Sequence, residues 1–403
     1  MSVPTDNSTS PEHQTRMIIA MRRDIHDARK FIESRLSDSG FNDISADESF
    51  LVGILARNDR SAAGTLLSRL EIPEHEVTHT IDSLALRGYL RPRNSISSQR
   101  QPAVMLTERG LATLTRAEYA LKASCWADFP LRQGDIVIST PVKCGTTWTQ
   151  MICALLIFQD ANLPAALKKL SPWFEATRPD WRKVVNSLAV QKHRRFIKTH
   201  LPLNELPIDP RVTYIVTARH LLDAILSYYN HQMKTADQEH AVLKANKMPS
   251  PRSFLLRWIA TDNDLRTPYN TLFPGMLQHL ADAWNRRNEP NVVLLHYQEL
   301  ATDLEGEMRR VATRLGINVP EKKWPALVQA ATFDEMRAAA DRIQPEDRLE
   351  DSPQDFFHKG VSGAGRELLT DAELAYYHAR TAQIAPRDFL TWLHRENKSP
   401  SSR

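Results

Sequence analysis

Four short apolar runs constrain this chain more than any other feature. IVIS (136–139), RFIKT (195–199), VTYIVTA (212–218) and VVLLHY (292–297) are short and apolar enough to suit strands buried on both faces. Helical patterns separate most of them, and that order predicts a parallel sheet in an α/β domain. After the last run, Leu304, Met308, Val311, Ala312 and Leu315 recur at helical spacing and predict an amphipathic helix.

The chain is 403 residues long, more than one ordinary core accommodates, and its texture changes near residue 130. The polar stretches 1–12 and 396–403 are expected to be disordered tails. Between them we expect a helix plus a small domain over 13–117, then the α/β domain over 130–395. In the small domain Phe50, Leu51, Ile54 and Leu55 sit at helical spacing, and two short helices follow, SAAGTLLSRL and PEHEVTHTIDSLALRG. Gly88 ends the second, and YLRPRN and AVMLT are expected to pair as a two-stranded wing. This series resembles the winged-helix (α+β) domain of MarR-type regulators. The resemblance implies DNA binding through the second helix. Against it, Glu74, Glu76 and Asp82 on that helix would repel phosphates, and only Arg91, Arg93 and Arg100 of the wing suit a DNA backbone. DNA is thus a disfavoured partner, and a docking or dimerisation module is the competing reading.

Composition narrows the class further. Hydrophobic residues at 42% and charged residues at 25% describe a soluble globular protein, and a net charge of +4 does not mark a nucleic-acid binder. Cys125, Cys144 and Cys153 make neither a disulfide framework nor a zinc site. The N-terminus lacks the apolar region of a secretory signal, and no run approaches the ~18 apolar residues that span a bilayer. A cytoplasmic protein with no membrane partner is expected.

One stretch suggests chemistry. TPVKCGTTW (140–148) follows a predicted strand and opens a helix on which Trp148, Met151, Ile152, Leu155 and Leu156 share a face. Thr146 and Thr147 then stand in the first turn, where unpaired N–H groups and the helix dipole favour an anion. Gly145 lets the backbone approach that anion, and Lys143 adds a full charge. The loop suits a phosphate or a sulfate. A P-loop phosphotransferase places its lysine directly before the magnesium-ligating Ser/Thr. Here Lys143 precedes the glycine instead, which counts against that alternative. Taken alone, the stretch also fits an ordinary glycine turn with a threonine cap.

Three further stretches add to it. RFIKTHLP (195–202) puts Lys198 and His200 at the C-terminal end of a strand, where parallel sheets gather catalytic groups. YIVTARHLLDAILSYYNH (214–231) puts Arg219 at a strand end and Ser227 in the next helix, and FFHKGVSGAGRELLT (356–370) puts Lys359 and Gly360 in a Gly-rich loop. In order and spacing the four stretches resemble the cytosolic-type sulfotransferase family over residues 130–395. The resemblance implies a P-loop-like domain that uses 3′-phosphoadenosine 5′-phosphosulfate (PAPS) to sulfate a hydroxyl or amine of a small acceptor, without a metal. It implies that Lys143, Gly145, Thr146 and Thr147 surround the 5′-phosphosulfate, and that Trp148 and Phe333 pack near adenine. Tyr297 matches a tyrosine that contacts the nucleotide. Arg219, Ser227, Lys359 and Gly360 match the 3′-phosphate site, His200 the catalytic base, and Lys198 the lysine just before it.

Elementary chemistry agrees with these roles. By analogy with phosphoryl transfer, sulfuryl transfer spreads charge over a loose transition state, so cations and backbone donors carry most of the catalysis. Lys143 suits the leaving oxygen and Lys198 the sulfuryl oxygens. A histidine titrates near neutrality and can take the acceptor's proton. Plain alternatives stand beside these roles: His200 as a hydrogen-bonded strand end, Ser227 as a helix-surface residue, Tyr297 and Phe333 as core. Cys144 stands where the family has serine, and its place at a helix N-terminus near cations predicts a lowered pKa and sensitivity to oxidation. His358 replaces an arginine and Ala364-Gly365 an Asp-Trp pair, although Arg366 keeps a basic residue just beyond. The animal enzymes' C-terminal dimerisation signature is absent, which leaves the oligomeric state open. A competing function is a DNA-binding regulator whose C-terminal domain senses a sulfonucleotide or small ligand.

Overall fold

The four apolar runs form one parallel sheet. In a computed structural model, which describes residues 27–56, 74–92, 104–127, 129–177, 181–239, 249–260, 273–343 and 362–395, they become β1 (Ile136–Ser139), β2 (Phe196–Thr199), β3 (Thr213–Ala218) and β4 (Val292–His296). Their spatial order is β2-β1-β3-β4, and every pairing is parallel. All of β1 is buried, as a central strand covered on both faces must be. The register sets Ile138 opposite both Lys198 and Ile215, so the C-terminal ends of β1 and β2 finish side by side.

Helices cover the sheet. α1 (Thr146–Phe158) leaves β1 and is buried nearly all round, from Thr146 through Leu156 with Trp148 partly buried. α2 (Leu221–Glu239) follows β3, and α3 (Leu304–Leu315) follows β4 after one short turn of helix. α3 has the predicted stripe: Met308, Val311, Ala312 and Leu315 are buried. The Asp303 side chain caps its start through Gly306 N–H, and Gly316 ends it at φ 66°. Most of these apolar faces merge in one cluster that includes Ile138, Ile152, Leu155, Phe196, Ile215 and Val311.

An ion pair that the sequence does not announce ties β1 to β2. Arg195 Nε donates to Asp135 Oδ1 at 2.8 Å and its Nη2 to Oδ2, with both side chains no more than 3% exposed. Arg195 also donates to the Pro130 carbonyl at 2.9 Å and lies 5.1 Å from the Phe129 ring centroid, while Asp135 accepts from Arg132 N–H at 2.7 Å. Nε and Nη2 of the guanidinium and both carboxylate oxygens thus have partners, as burial of charge requires.

Contacts divide the chain into two units, Met1–Trp126 and Ala127–Arg403. In the first, residues 27–38, Ala46–Ala56, Glu74–Leu86 and Glu108–Ala127 are helical. Leu90–Pro92 pairs antiparallel with Val104–Leu106, the two strands expected of a wing. Gly88, at φ 77°, ends the preceding helix, and Ile32, Leu36, Leu51, Leu84 and Tyr89 form the core. The SAAGTLLSRL helix, the wing residues Arg93 and Arg100 and both expected tails lie outside the described residues. No described helix is long and apolar enough to cross a membrane.

Candidate active site

Chain geometry explains the loop between β1 and α1. Gly145 is the N-cap of α1 at φ 106° and ψ 20°, a conformation that L side chains rarely adopt, and it offers no side chain to cap the helix. A Cβ there would also come 3.3 Å from Tyr297 Cδ2 and 3.4 Å from Thr217 Cγ2. The first-turn N–H groups of α1 are therefore left for an outside acceptor. Lys143 is held at φ 59°, in the left-handed region. Threonines bind the loop to the sheet: Thr146 Oγ1 bonds Thr140 Oγ1, while Thr149 Oγ1 donates to Gly145 O at 3.1 Å and lies 2.7 Å from Thr217 Oγ1.

Aromatic residues flank it. The Trp148 and Tyr297 rings meet nearly edge to face, 5.1 Å apart at 71°, and Trp148 Nε1 donates to Ala331 O at 2.8 Å. Phe333 and Trp148 pack against the same apolar cluster. Arg219 stacks 4.2 Å above the Tyr297 ring, and its Nη1 reaches the Lys143 carbonyl at 3.5 Å. Burial pushes the Tyr297 phenol upward in pKa despite the opposing pull of Arg219, so the ring stays uncharged.

At the end of β2 the structure fixes a tautomer. His200 Nδ1 lies 2.6 Å from the Thr140 carbonyl, which can only accept, so the ring proton of the neutral imidazole sits on Nδ1 and Nε2 carries the lone pair. Trp173, 38% exposed, stands beside it: its ring meets His200 edge-on at 4.9 Å, and Lys198 Nζ lies 4.9 Å from its centroid. Burial lowers the Lys198 pKa to about 8, with the Glu175 carboxylate opposing the shift. Glu175 itself, buried, accepts from Thr199 Oγ1. The fold thus gathers Lys143, Thr146 and Thr147 at the end of β1, Lys198 and His200 at the end of β2, Arg219 after β3 and Tyr297 after β4. These are the C-terminal strand ends where parallel sheets hold ligands.

Beyond Tyr297 a cleft of about 120 Å³ opens, with Arg219, Asp223, Gly363, Arg366 and Arg395 also in its lining. Ser227, half-buried on α2, is not among the lining residues. Lys359, Gly360 and His358 lie outside the described residues. Asp223, Glu175 and the Thr140 carbonyl escaped sequence reasoning. Only an acid in the first turn of α2, four residues after Arg219, gave any signal for Asp223.

One expectation is overturned. Cys144 is fully buried, and burial pushes its thiol up to about 12, although Arg219 pulls the other way. Desolvation of a thiolate outweighs the nearby cation, so Cys144 behaves as a buried apolar side chain rather than an oxidation sensor.

Residues 133–385 match the family model described as the sulfotransferase domain. A glycolipid sulfotransferase of Mycobacterium bovis (strain BCG / Pasteur 1173P2) is 37% identical over 298 residues, which cover 67% of this chain and 90% of that one. Among solved structures, retinol dehydratase in complex with androsterone and the inactive cofactor PAP aligns with a TM-score of 0.53 at 20% identity, over 70% of this chain and 87% of that one. A mouse sulfotransferase complexed with PAP aligns with a TM-score of 0.51 at 19% identity, over 65% and 88%. The shared fold and the extent of the match lead to one conclusion: this chain belongs to the sulfotransferase domain family.

Proposed function

We propose that this chain transfers a sulfuryl group from PAPS to a hydroxyl of a small, hydrophobic acceptor. The observation that carries this reading is His200, whose Nδ1–H donates to Thr140 O, so that Nε2 is the basic ring nitrogen at the strand end that also carries Lys198. The residues present fit the nucleotide. The uncapped start of α1 with Lys143 suits its 5′-phosphosulfate, and Trp148, Tyr297 and Phe333 supply apolar surface for adenine. Arg219 suits a 3′-phosphate, with Ser227, Lys359 and Gly360 as its assigned companions. When bound, the nucleotide supplies a sulfuryl group whose S–O bond to the 5′-phosphate breaks as the acceptor oxygen bonds to sulfur. His200 Nε2 takes the proton that this oxygen loses. Lys198 neutralises charge on the sulfuryl oxygens, and Lys143 neutralises charge on the leaving oxygen. The mycobacterial relative's name supports a lipid-borne sugar hydroxyl as the acceptor class.

Calorimetric titration tests the nucleotide site. Wild type is expected to bind 3′,5′-ADP in the micromolar range and to bind 5′-AMP and ATP more weakly, and Arg219→Ala is expected to lose the preference. Tighter binding of ATP than of the bisphosphate would end the sulfonucleotide reading.

Lys198 predicts a pH profile. Its folded pKa of about 8 lies below the ordinary lysine value, so the free enzyme loses this cation as pH rises through about 8. Activity requires the protonated form. Accordingly kcat/KM for the sulfonucleotide should fall above that pH, and Lys198→Arg, whose guanidinium stays charged, should remove this limb. An unchanged alkaline limb in Lys198→Arg would assign it to another group.

A further inference from the structure

The residues just beyond 358–360 dock on α2 through a built contact. The Asp223 carboxylate, on a residue only 4% exposed, accepts the backbone N–H of Gly363 at 2.8 Å and of Gly365 at 2.9 Å. Gly365 lies so close to α2 that a Cβ would come 2.5 Å from the Leu222 carbonyl carbon and oxygen. Backbone cannot yield there as a flexible side chain would, so the position accepts glycine alone.

This contact fixes the next residue. Arg366 lines the cleft together with Arg219, Ser362 and Arg395. Arg395 is ion-paired with Glu299, and Asp223 is committed to its two backbone donors. His220, in the same lining, adds no charge near neutrality: burial, and then the Arg366 guanidinium, push its pKa down to about 3. Arg219 and Arg366 both line this one small concavity, and a guanidinium can engage phosphate oxygens in pairs.

We infer that Arg366 is a specificity-determining residue that recognises the 3′-phosphate of the nucleotide, and that Asp223 is the positioning residue that holds it in the cleft. The inference rests on the PAPS reading above and deepens it, because it names the cation that serves where His358 replaces the family's arginine.

The test is a double-mutant cycle on the full chain, read by calorimetric titration with 3′,5′-ADP and 5′-AMP. Arg366→Ala should weaken 3′,5′-ADP binding by about tenfold or more and leave 5′-AMP binding nearly unchanged. Asp223→Asn keeps the shape but loses one acceptor, and should weaken the bisphosphate selectively as well. Combined, the two should weaken it little more than Arg366→Ala alone, because both act through one side chain. A purely structural role for Asp223 predicts the opposite: equal losses for both nucleotides, additive with Arg366→Ala. That result overturns the positioning assignment. If wild type prefers the bisphosphate and Arg366→Ala keeps the preference, the Arg366 assignment falls while the sulfotransferase reading stands. If wild type itself shows no preference, the PAPS reading falls and takes this one with it.

Discussion

Replacing His200 by alanine is expected to lower kcat by ~10²–10⁴-fold with an alkyl alcohol as acceptor, and to leave 3′,5′-ADP affinity almost unchanged. The Thr140 carbonyl holds the Nδ1–H tautomer, and in the proposed reaction Nε2 acts only as the acceptor loses its proton. The contribution should therefore track how hard that proton is to remove. Single-turnover rates measured over a series of alcohols and phenols should show a deficit that shrinks steadily as the acceptor grows more acidic. An equal deficit across the series would remove His200 from the role of base and leave it a strand-end structural residue. Loss of nucleotide affinity in the variant would point the same way.

The largest expected change in stability lies away from the chemistry. Arg195→Ala should destabilise the fold by about 3–5 kcal/mol in urea unfolding, because it leaves the Asp135 carboxylate buried without its cation. The pair itself contributes far less than this loss suggests, since both charges give up hydration to form it. An apolar double replacement, Asp135→Leu with Arg195→Met, should accordingly recover much of the deficit. A loss below about 1 kcal/mol for Arg195→Ala, within the range of exposed pairs, would mean that water reaches the carboxylate.

What the sequence revealed and what it hid have separate physical causes. A central parallel strand is apolar on both faces, so IVIS and VTYIVTA are legible from composition alone. The loop at Lys143–Thr147 was legible as a strand-to-helix turn because Gly145 and its polar neighbours separate a buried strand from an apolar helix. Asp135, Arg195 and Asp223 were not legible, since a charge in a sequence carries no mark of whether water surrounds it. Their partners lie 60, 60 and about 140 residues away. Cys144 shows the same limit from the other side. The pull of a helix start on a thiolate can be read from order, whereas burial, the larger effect, depends on everything packed around it. For Arg219 and Tyr297 the sequence supplied strand ends, and only the fold supplied the stacking between them.

Lys143 stands at φ 59°, a backbone setting that asparagine or glycine would accept with less strain. A lysine here costs the fold on the order of 1 kcal/mol, and glycine would relieve it. With Lys143 in its proposed role, thermal robustness and reactivity therefore pull in opposite directions at this one position. Any redesign of the chain guided by melting temperature alone would reach for glycine at 143, and the hardier protein that resulted would have surrendered a cation of the loop that opens the helix.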